Sequence, residues 1–168
     1  VLYYEHIALY RDPKIKQRLA AEPPEPIPIG KAALRRAGSD LASLKTRAVR
    51  DGDHYVVNGQ KLWTTGAHWA DWIYALVRTN PTAKKHEGIS YLLIDMKSPG
   101  IKISAKYKTM MGEEPCEVVF DDLKVPAENL VGKEGEGFRL AQKWLGIGRL
   151  KHGARALGVA ERCIEMGS

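Results

Sequence analysis

The stretch Asn58-Gly-Gln-Lys-Leu-Trp63-Thr64-Thr65-Gly-Ala67 sets one large flat ring beside two hydroxyls. Alternate side chains of an extended strand share a face, so Trp63 and Thr65 point the same way with Thr64 between them. Trp supplies stacking area and Thr a hydrogen bond to a ring heteroatom, which suits a flat heteroaromatic cofactor. On residue types alone, a Trp packed in a β-core is the commoner arrangement, and that reading stays open. Ser39, His68 and Asp71 include the residue types of a hydrolytic triad, but no nucleophile-elbow motif surrounds the serine. Gly-Lys-Glu-Gly-Glu-Gly at 132–137 is glycine-rich and precedes a helical pattern, whose N-terminus could hold an anion. It lacks the Lys-Ser/Thr of a phosphate loop, and a flexible connector is the simpler reading. The five histidines (His6, His54, His68, His86, His152) share no metal-ligand spacing, so no metal site is expected. Cys116 and Cys163 form no CxxC pair and read as free thiols of a reducing compartment.

Composition bounds what these residues can serve. The 168 residues are 44% hydrophobic and 27% charged, as in an ordinary globular protein with enough apolar material for a core. No apolar run approaches the roughly 20 residues needed to span a bilayer. The N-terminus lacks the charged-then-apolar layout of a secretory signal, although a chain beginning at Val1 leaves room for a preceding segment. The net charge of +6 is unevenly spread: residues 41–132 carry twelve basic and eleven acidic side chains, so the excess sits on the flanks. A nucleic-acid binder concentrates basic charge in patches with interleaved aromatics, and the near-neutral centre argues against one. Phosphate-bearing small ligands suit the same balance.

The elements that must position Trp63–Thr65 are β-strands. Leu44–Arg50 leads into Asp51-Gly52-Asp53, His54–Val57 into Asn58-Gly59, and Gln60–Thr65 follows; Asp-Gly and Asn-Gly between β-rich runs predict two hairpins. Further strands are expected at 72–79, 89–96, 101–109 and 117–125, with Lys97-Ser-Pro-Gly100 as a turn. The expected fold is therefore mainly β: an antiparallel β-barrel or sandwich of about seven strands, with helical segments at both ends. At the N-terminal end, residues 3–21 carry a helical pattern, and four prolines within 23–28 make an extended arm. At the C-terminal end a helical pattern runs from Phe138 to about Met166. Leu150, Ala154, Leu157 and Ile164 fall on one apolar stripe, and Gly146 and Gly148 predict a bend.

Four segments in the same order carry a resemblance. AGSDLASLKTRAVRDGDHYVVNGQKLWTTGAHWADWIYALVRTNP, GISYLLIDMKSPGIKI, CEVVFDDLKVPAENLVGKEGEGFRLAQ and GRLKHGARALGVAERCIEM together resemble the acyl-CoA dehydrogenase family. The likeness covers roughly residues 37–166. It implies a domain layout of an altered helical and proline-rich segment over 1–36, the family's middle β-barrel over 37–132, and the start of a C-terminal helical domain over 133–168. It also implies FAD as cofactor, an acyl-CoA thioester as substrate, and removal of the α and β hydrogens of the acyl chain. Electrons would leave through an electron-transfer flavoprotein, from a homo-oligomer in the bacterial cytoplasm or the mitochondrial matrix. Residue by residue, Trp63, Thr64 and Thr65 become flavin contacts. Ser39 becomes a contact to the pantetheine arm, Thr79 another on the CoA side, and Arg149 the Arg near the acyl site.

The sequence also departs from the family's pattern. The family usually reads Thr-Glu-Pro-Gly-Ala-Gly-Ser-Asp before the barrel, and here Arg35-Arg36-Ala37-Gly38 precedes Ser39. The catalytic Glu that some members place before the helix-opening Arg is Gly148 here, so the resemblance leaves no catalytic residue in this chain. Activity from the chain alone is not expected. A non-catalytic flavin- or CoA-binding module, or a DNA-associated member of the same family, are the alternative readings.

Overall fold

The computed structural model describes residues 6–9, 41–107 and 115–167. Eight strands build one sheet: β1 His6–Leu9, β2 Arg47–Asp51, β3 His54–Thr65, β4 Trp72–Arg78, β5 Ile89–Asp95, β6 Ile101–Lys106, β7 Pro115–Pro126 and β8 Leu130–Val131. The strand order is β6-β7-β3-β2-β4-β5-β8, with β1 paired to β4. Nearly all pairings are antiparallel, and among the described residues the sheet ends at β6 and β8 without closing. The expected mainly-β, antiparallel architecture is the one observed.

Two of the predicted turns form. Asp51 pairs with His54 across Gly52-Asp53, and Gly52 takes a φ of 60° that a two-residue hairpin loop requires. Lys97–Gly100 turns between β5 and β6, with Ser98 N–H donating to the Asp95 carbonyl at 3.1 Å and Ile101 N–H to the Ser98 carbonyl at 3.4 Å. The second predicted hairpin does not form. Asn58-Gly59 lies inside β3, a continuous strand of 12 residues. The reason is tertiary: β3 has β2 on one side and β7 along its whole length on the other, so continuing the ladder outweighs a local turn preference. A bulge falls here instead, on β7: Asp121 and Asp122 face the single residue Asn58, and Asp122 takes a φ of 46°. Gly59 sits at φ 138°, and a Cβ there would lie 2.8 Å from the Thr46 Cα. Asn58 fastens β3 to this bulge, donating to Asp122 Oδ1 at 2.8 Å and accepting from Asp122 N–H at 2.9 Å.

Between β2 and β4 the ladder thins to a single parallel pair, Arg47 with Arg78, and Arg78 N–H donates to the Thr46 carbonyl at 2.7 Å. The core crosses this junction. Ala48, Tyr55, Val57, Val118, Phe120, Leu123 and Val125 from one side pack in one cluster with Ile73, Ala75, Val77, Leu92 and Ile94 from the other. Fully burying each Val, Leu, Ile or Phe among them contributes about 1.5–3 kcal/mol. In β5, Ile89 through Ile94 are all buried, so this strand is covered on both faces.

The helical pattern expected over residues 3–21 fails at His6–Leu9, which pair with Ala75–Trp72 of β4. The β4 edge offers unpaired backbone groups there, and a short strand satisfies them where an isolated helix turn would not. The rest of residues 1–36 lies outside the described residues. At the other end, α1 spans Gly137–Gly167 as one unbroken 31-residue helix. The helix does not break at Gly146 and Gly148: glycine costs about 1 kcal/mol in a helix but does not prevent helical φ/ψ. Leu150, Leu157 and Ile164 of the apolar stripe are exposed at 78%, 73% and 72%. The chain divides into two compact units, Val1–Phe138 and Arg139–Ser168.

Candidate flavin site

The last third of β3 is irregular in a way the sequence did not announce. Opposite β7, Lys61 pairs with Val118 and Thr64 with Cys116, so Leu62 and Trp63 face the single residue Glu117. This second bulge puts Trp63 at φ 57°, a left-handed conformation rare for a bulky residue. Such strain costs of order 1–3 kcal/mol and persists where the surroundings impose it, characteristically at functional sites. β3 then ends in a tight turn, with Ala67 N–H donating to the Thr64 carbonyl at 3.2 Å and Trp69 N–H to that of Gly66 at 3.1 Å.

Trp63 and Thr65 are half-buried and Thr64 between them is fully buried. Trp63 Nε1, Thr64 Oγ1 and Thr65 Oγ1 are all buried and have no hydrogen-bond partner. A buried polar atom left unsatisfied costs about 1–3 kcal/mol, and native proteins hold few of them. Three on consecutive residues, at a strained bulge, are a set of side chains prepared to hydrogen-bond something else. A planar ring with several acceptor heteroatoms answers all three needs: a stacking face, an N–H donor and two hydroxyls. These residues therefore fit an isoalloxazine ring.

Three neighbours of this stretch were not legible in the sequence. Lys61 is 1% exposed, and its ammonium donates to the Leu76 carbonyl at 2.8 Å, crossing from β3 to β4. His68 Nδ1 lies 3.2 Å from the buried Cys116 Sγ. Tyr107, just past β6, packs its ring on Trp63 with centroids 5.4 Å apart. Each pairing joins residues distant in sequence, and no local spacing reports such a contact. Cys116 and Cys163 are both free, the first buried and the second exposed. Among the described residues no group of His, Cys, Asp or Glu could hold a metal ion.

The remaining candidates lie apart from this stretch. Thr79 follows the end of β4, level with Asn58 through the Arg47 pairings, so roughly 20 Å of strand separates it from Thr65. Its hydroxyl is 2.7 Å from Ser90 Oγ, which also accepts from Gly135 N–H at 2.9 Å. That hydroxyl has an internal partner and fastens the base of the 79–90 loop. Beside it, Arg78 donates to the Lys85 carbonyl at 2.9 Å, and burial pulls its guanidinium below the ordinary arginine range. Arg149 belongs to the second unit, where it donates to Gln142 Oε1 at 3.2 Å. Ser39 and the Arg35-Arg36 departure lie outside the described residues. The Ser39–His68–Asp71 grouping therefore includes a residue outside the described ones.

Residues 35–123, more than half of the chain, match the acyl-CoA dehydrogenase middle-domain family. The chain belongs to the acyl-CoA dehydrogenase family. Acyl-CoA dehydrogenase FadE29 of Mycobacterium tuberculosis is 52% identical over 104 residues, covering 62% of this chain and 27% of the relative. Among solved structures, the ChsE4–ChsE5 complex from Mycobacterium tuberculosis aligns with a TM-score of 0.61 at 44% identity, over 66% of this chain and 28% of that one. A glutaryl-coenzyme A dehydrogenase in complex with glutaryl-CoA aligns with a TM-score of 0.68 at 32% identity, over 77% of this chain and 33% of that one. This acyl-CoA dehydrogenase family member thus spans about a third or less of the length of the relatives it matches. No helix among its described residues is long and apolar enough to cross a membrane.

Proposed function

We propose that this chain supplies the flavin-side wall of an FAD-dependent acyl-CoA dehydrogenase, with residues 37–132 as its middle domain and 133–168 as the start of its helical domain. The observation that carries this reading is the run of three unpartnered buried polar atoms on Trp63, Thr64 and Thr65, at a bulge where Trp63 is strained. Trp63 presents its ring to the flavin, and its indole N–H with the hydroxyls of Thr64 and Thr65 meets the heteroatoms of the ring. Bound FAD would supply the acceptor for the hydride leaving the β-carbon of an acyl-CoA thioester. The chain's own part is to hold and orient that ring and to keep water from its protein side, where Thr64 is fully buried.

Two further assignments follow the family resemblance. Ser39 and Thr79 would line the CoA side, and Arg149 the acyl side, once the rest of the enzyme assembles around them. None of the chain's residues is assigned as the base, with Gly148 standing beside Arg149. An electron-transfer flavoprotein as acceptor and a homo-oligomeric assembly complete the proposal, in the bacterial cytoplasm or mitochondrial matrix.

Titration of the purified chain with FAD, followed by visible absorbance and flavin fluorescence, tests it. Saturable binding that Trp63→Ala weakens at least tenfold, with Thr65→Ala weaker than wild type by a smaller factor, is the expected result. A chain folded by circular dichroism that binds no FAD at up to millimolar concentration would remove the flavin assignment.

A further inference from the structure

The partner that Trp63 has within the protein lies two strands away. Lys106 of β6 pairs with Cys116 of β7, and Cys116 with Thr64 of β3, making one row across the sheet. The next row reads Tyr107, Pro115 and Thr65, with Tyr107 N–H donating to the Pro115 carbonyl at 2.8 Å and Pro115 paired to Thr65. Strands lie about 4.8 Å apart, so Tyr107 and Thr65 are on the order of 10 Å apart in the plane of the sheet. The Tyr107 ring nevertheless comes within 5.4 Å of the Trp63 ring, at an interplanar angle of 33°. It therefore reaches over β7 and covers one side of the indole. The ring separation lies within the roughly 4.5–7 Å over which aromatic pairs attract.

That contact bears on an otherwise underdetermined side chain. Trp63 is at a bulge, where the regular ladder no longer dictates the direction of Cβ, and its Nε1 has no partner to anchor the ring. A half-buried indole with neither constraint has more than one rotamer available. Tyr107 removes that freedom from one side and leaves the other side to a ligand.

We propose that Tyr107 is a positioning residue of the flavin site: it clamps Trp63 so that the indole is already in place when FAD binds. The inference rests on the reading of Trp63–Thr65 as flavin contacts. Pre-ordering a side chain strengthens binding by removing an ordering cost from the association step. The contribution operates through ring packing, so it belongs to the aromatic ring of Tyr107 and not to its hydroxyl.

The test uses the full chain with FAD as the probe and three variants. Tyr107→Phe keeps the ring, Tyr107→Ala removes it, and Tyr107→Leu keeps apolar volume without a ring, guarding against a loss of folding in the alanine variant. The expected result is a roughly two- to tenfold rise in Kd for the Ala and Leu variants, the range an aromatic pair contributes. The Phe variant stays within about twofold of wild type on the same grounds. The visible circular dichroism of bound flavin, which reports ring orientation, changes in Ala and Leu and is retained in Phe. A Leu variant that is folded and matches wild type in both Kd and visible dichroism overturns the proposal. So does a Phe variant as impaired as Leu, which would assign the effect to the hydroxyl. Failure of the wild-type chain to bind FAD is a separate result: it removes the flavin reading, and this inference falls with it.

Discussion

Gly59→Ala isolates the cost of forcing a side chain into β3 where it passes Thr46, beside the β7 bulge. The added Cβ meets the Thr46 Cα at 2.8 Å, well inside ordinary van der Waals contact, and the obstacle is backbone that cannot rotate aside. The φ of 138° is also one that L side chains rarely adopt, with a strain of order 1–3 kcal/mol. Separating β2 from β3 to relieve the contact would weaken the Thr46 Oγ1 bond to the Gln60 carbonyl, 3.1 Å in length, worth about 1 kcal/mol. Together these give a destabilisation of about 2–4 kcal/mol. Gly52→Ala is the control. Gly52 also has positive φ, at 60°, but a Cβ there meets nothing within 4 Å, so only the left-handed penalty of about 1–2 kcal/mol applies. Urea unfolding monitored by far-ultraviolet circular dichroism measures both, with equal m-values as the check that the same surface unfolds. Asn tolerates the left-handed region, so Gly52→Asn should recover most of the loss while Gly59→Asn should not. If Gly59→Ala costs no more than Gly52→Ala, the close approach of β3 to Thr46 is not a constraint and the reasoning fails.

Two other outcomes can be checked on the same protein. Burial holds the phenols of Tyr55, Tyr74 and Tyr91 above the ordinary tyrosine range, helped in Tyr55 by its 2.9 Å bond to Glu134. Since the folded pKa exceeds the unfolded one, the unfolded state loses protons first as pH rises. Stability is therefore unaffected by these groups below about pH 10 and falls above it. Absorbance at 295 nm should show them ionising together with unfolding, and three phenols titrating normally in a folded chain would contradict their burial. Thiol labelling should be biphasic, with exposed Cys163 reacting fast and buried Cys116 reacting only at the rate of opening. Cys116→Ala would abolish the slow phase, and two equally fast thiols would refute the packing of Cys116 beneath His68.

How far the sequence could be read differed with the range of the interaction that decides each feature. The hairpin at Gly52-Asp53, the turn at Lys97–Gly100 and the helix from Gly137 are set by neighbours in the chain, and turn chemistry and periodicity reveal them. Asn58-Gly59 carries the same local signal as a hairpin turn, yet β7 on its far side keeps the strand going. The flavin-site residues Trp63, Thr64 and Thr65 were visible as a motif, but not their bulge, which exists only against Glu117 of β7. Lys61 carries no local signal of burial, yet its ammonium is buried and donates to the Leu76 carbonyl. Tyr107 attracts no notice in sequence, because its significance lies in a ring contact with a residue 44 positions earlier.

The thin junction between β2 and β4 divides the sheet into β6-β7-β3-β2 and β4-β5-β8, the latter carrying β1. Within each part, paired strands resist separation; between the parts, the described residues supply one backbone pair, the ammonium of Lys61 and the bond from Tyr55 to Glu134. What joins the two parts is chiefly apolar contact, which has no preferred direction and tolerates sliding that hydrogen-bonded strands forbid. The domain is therefore mechanically anisotropic, stiff along its strands and compliant about the β2–β4 line. Trp63 and Thr65 lie on one side of that line and Thr79 on the other, so a change in the angle between the two parts would alter the distance between them while leaving each locally intact.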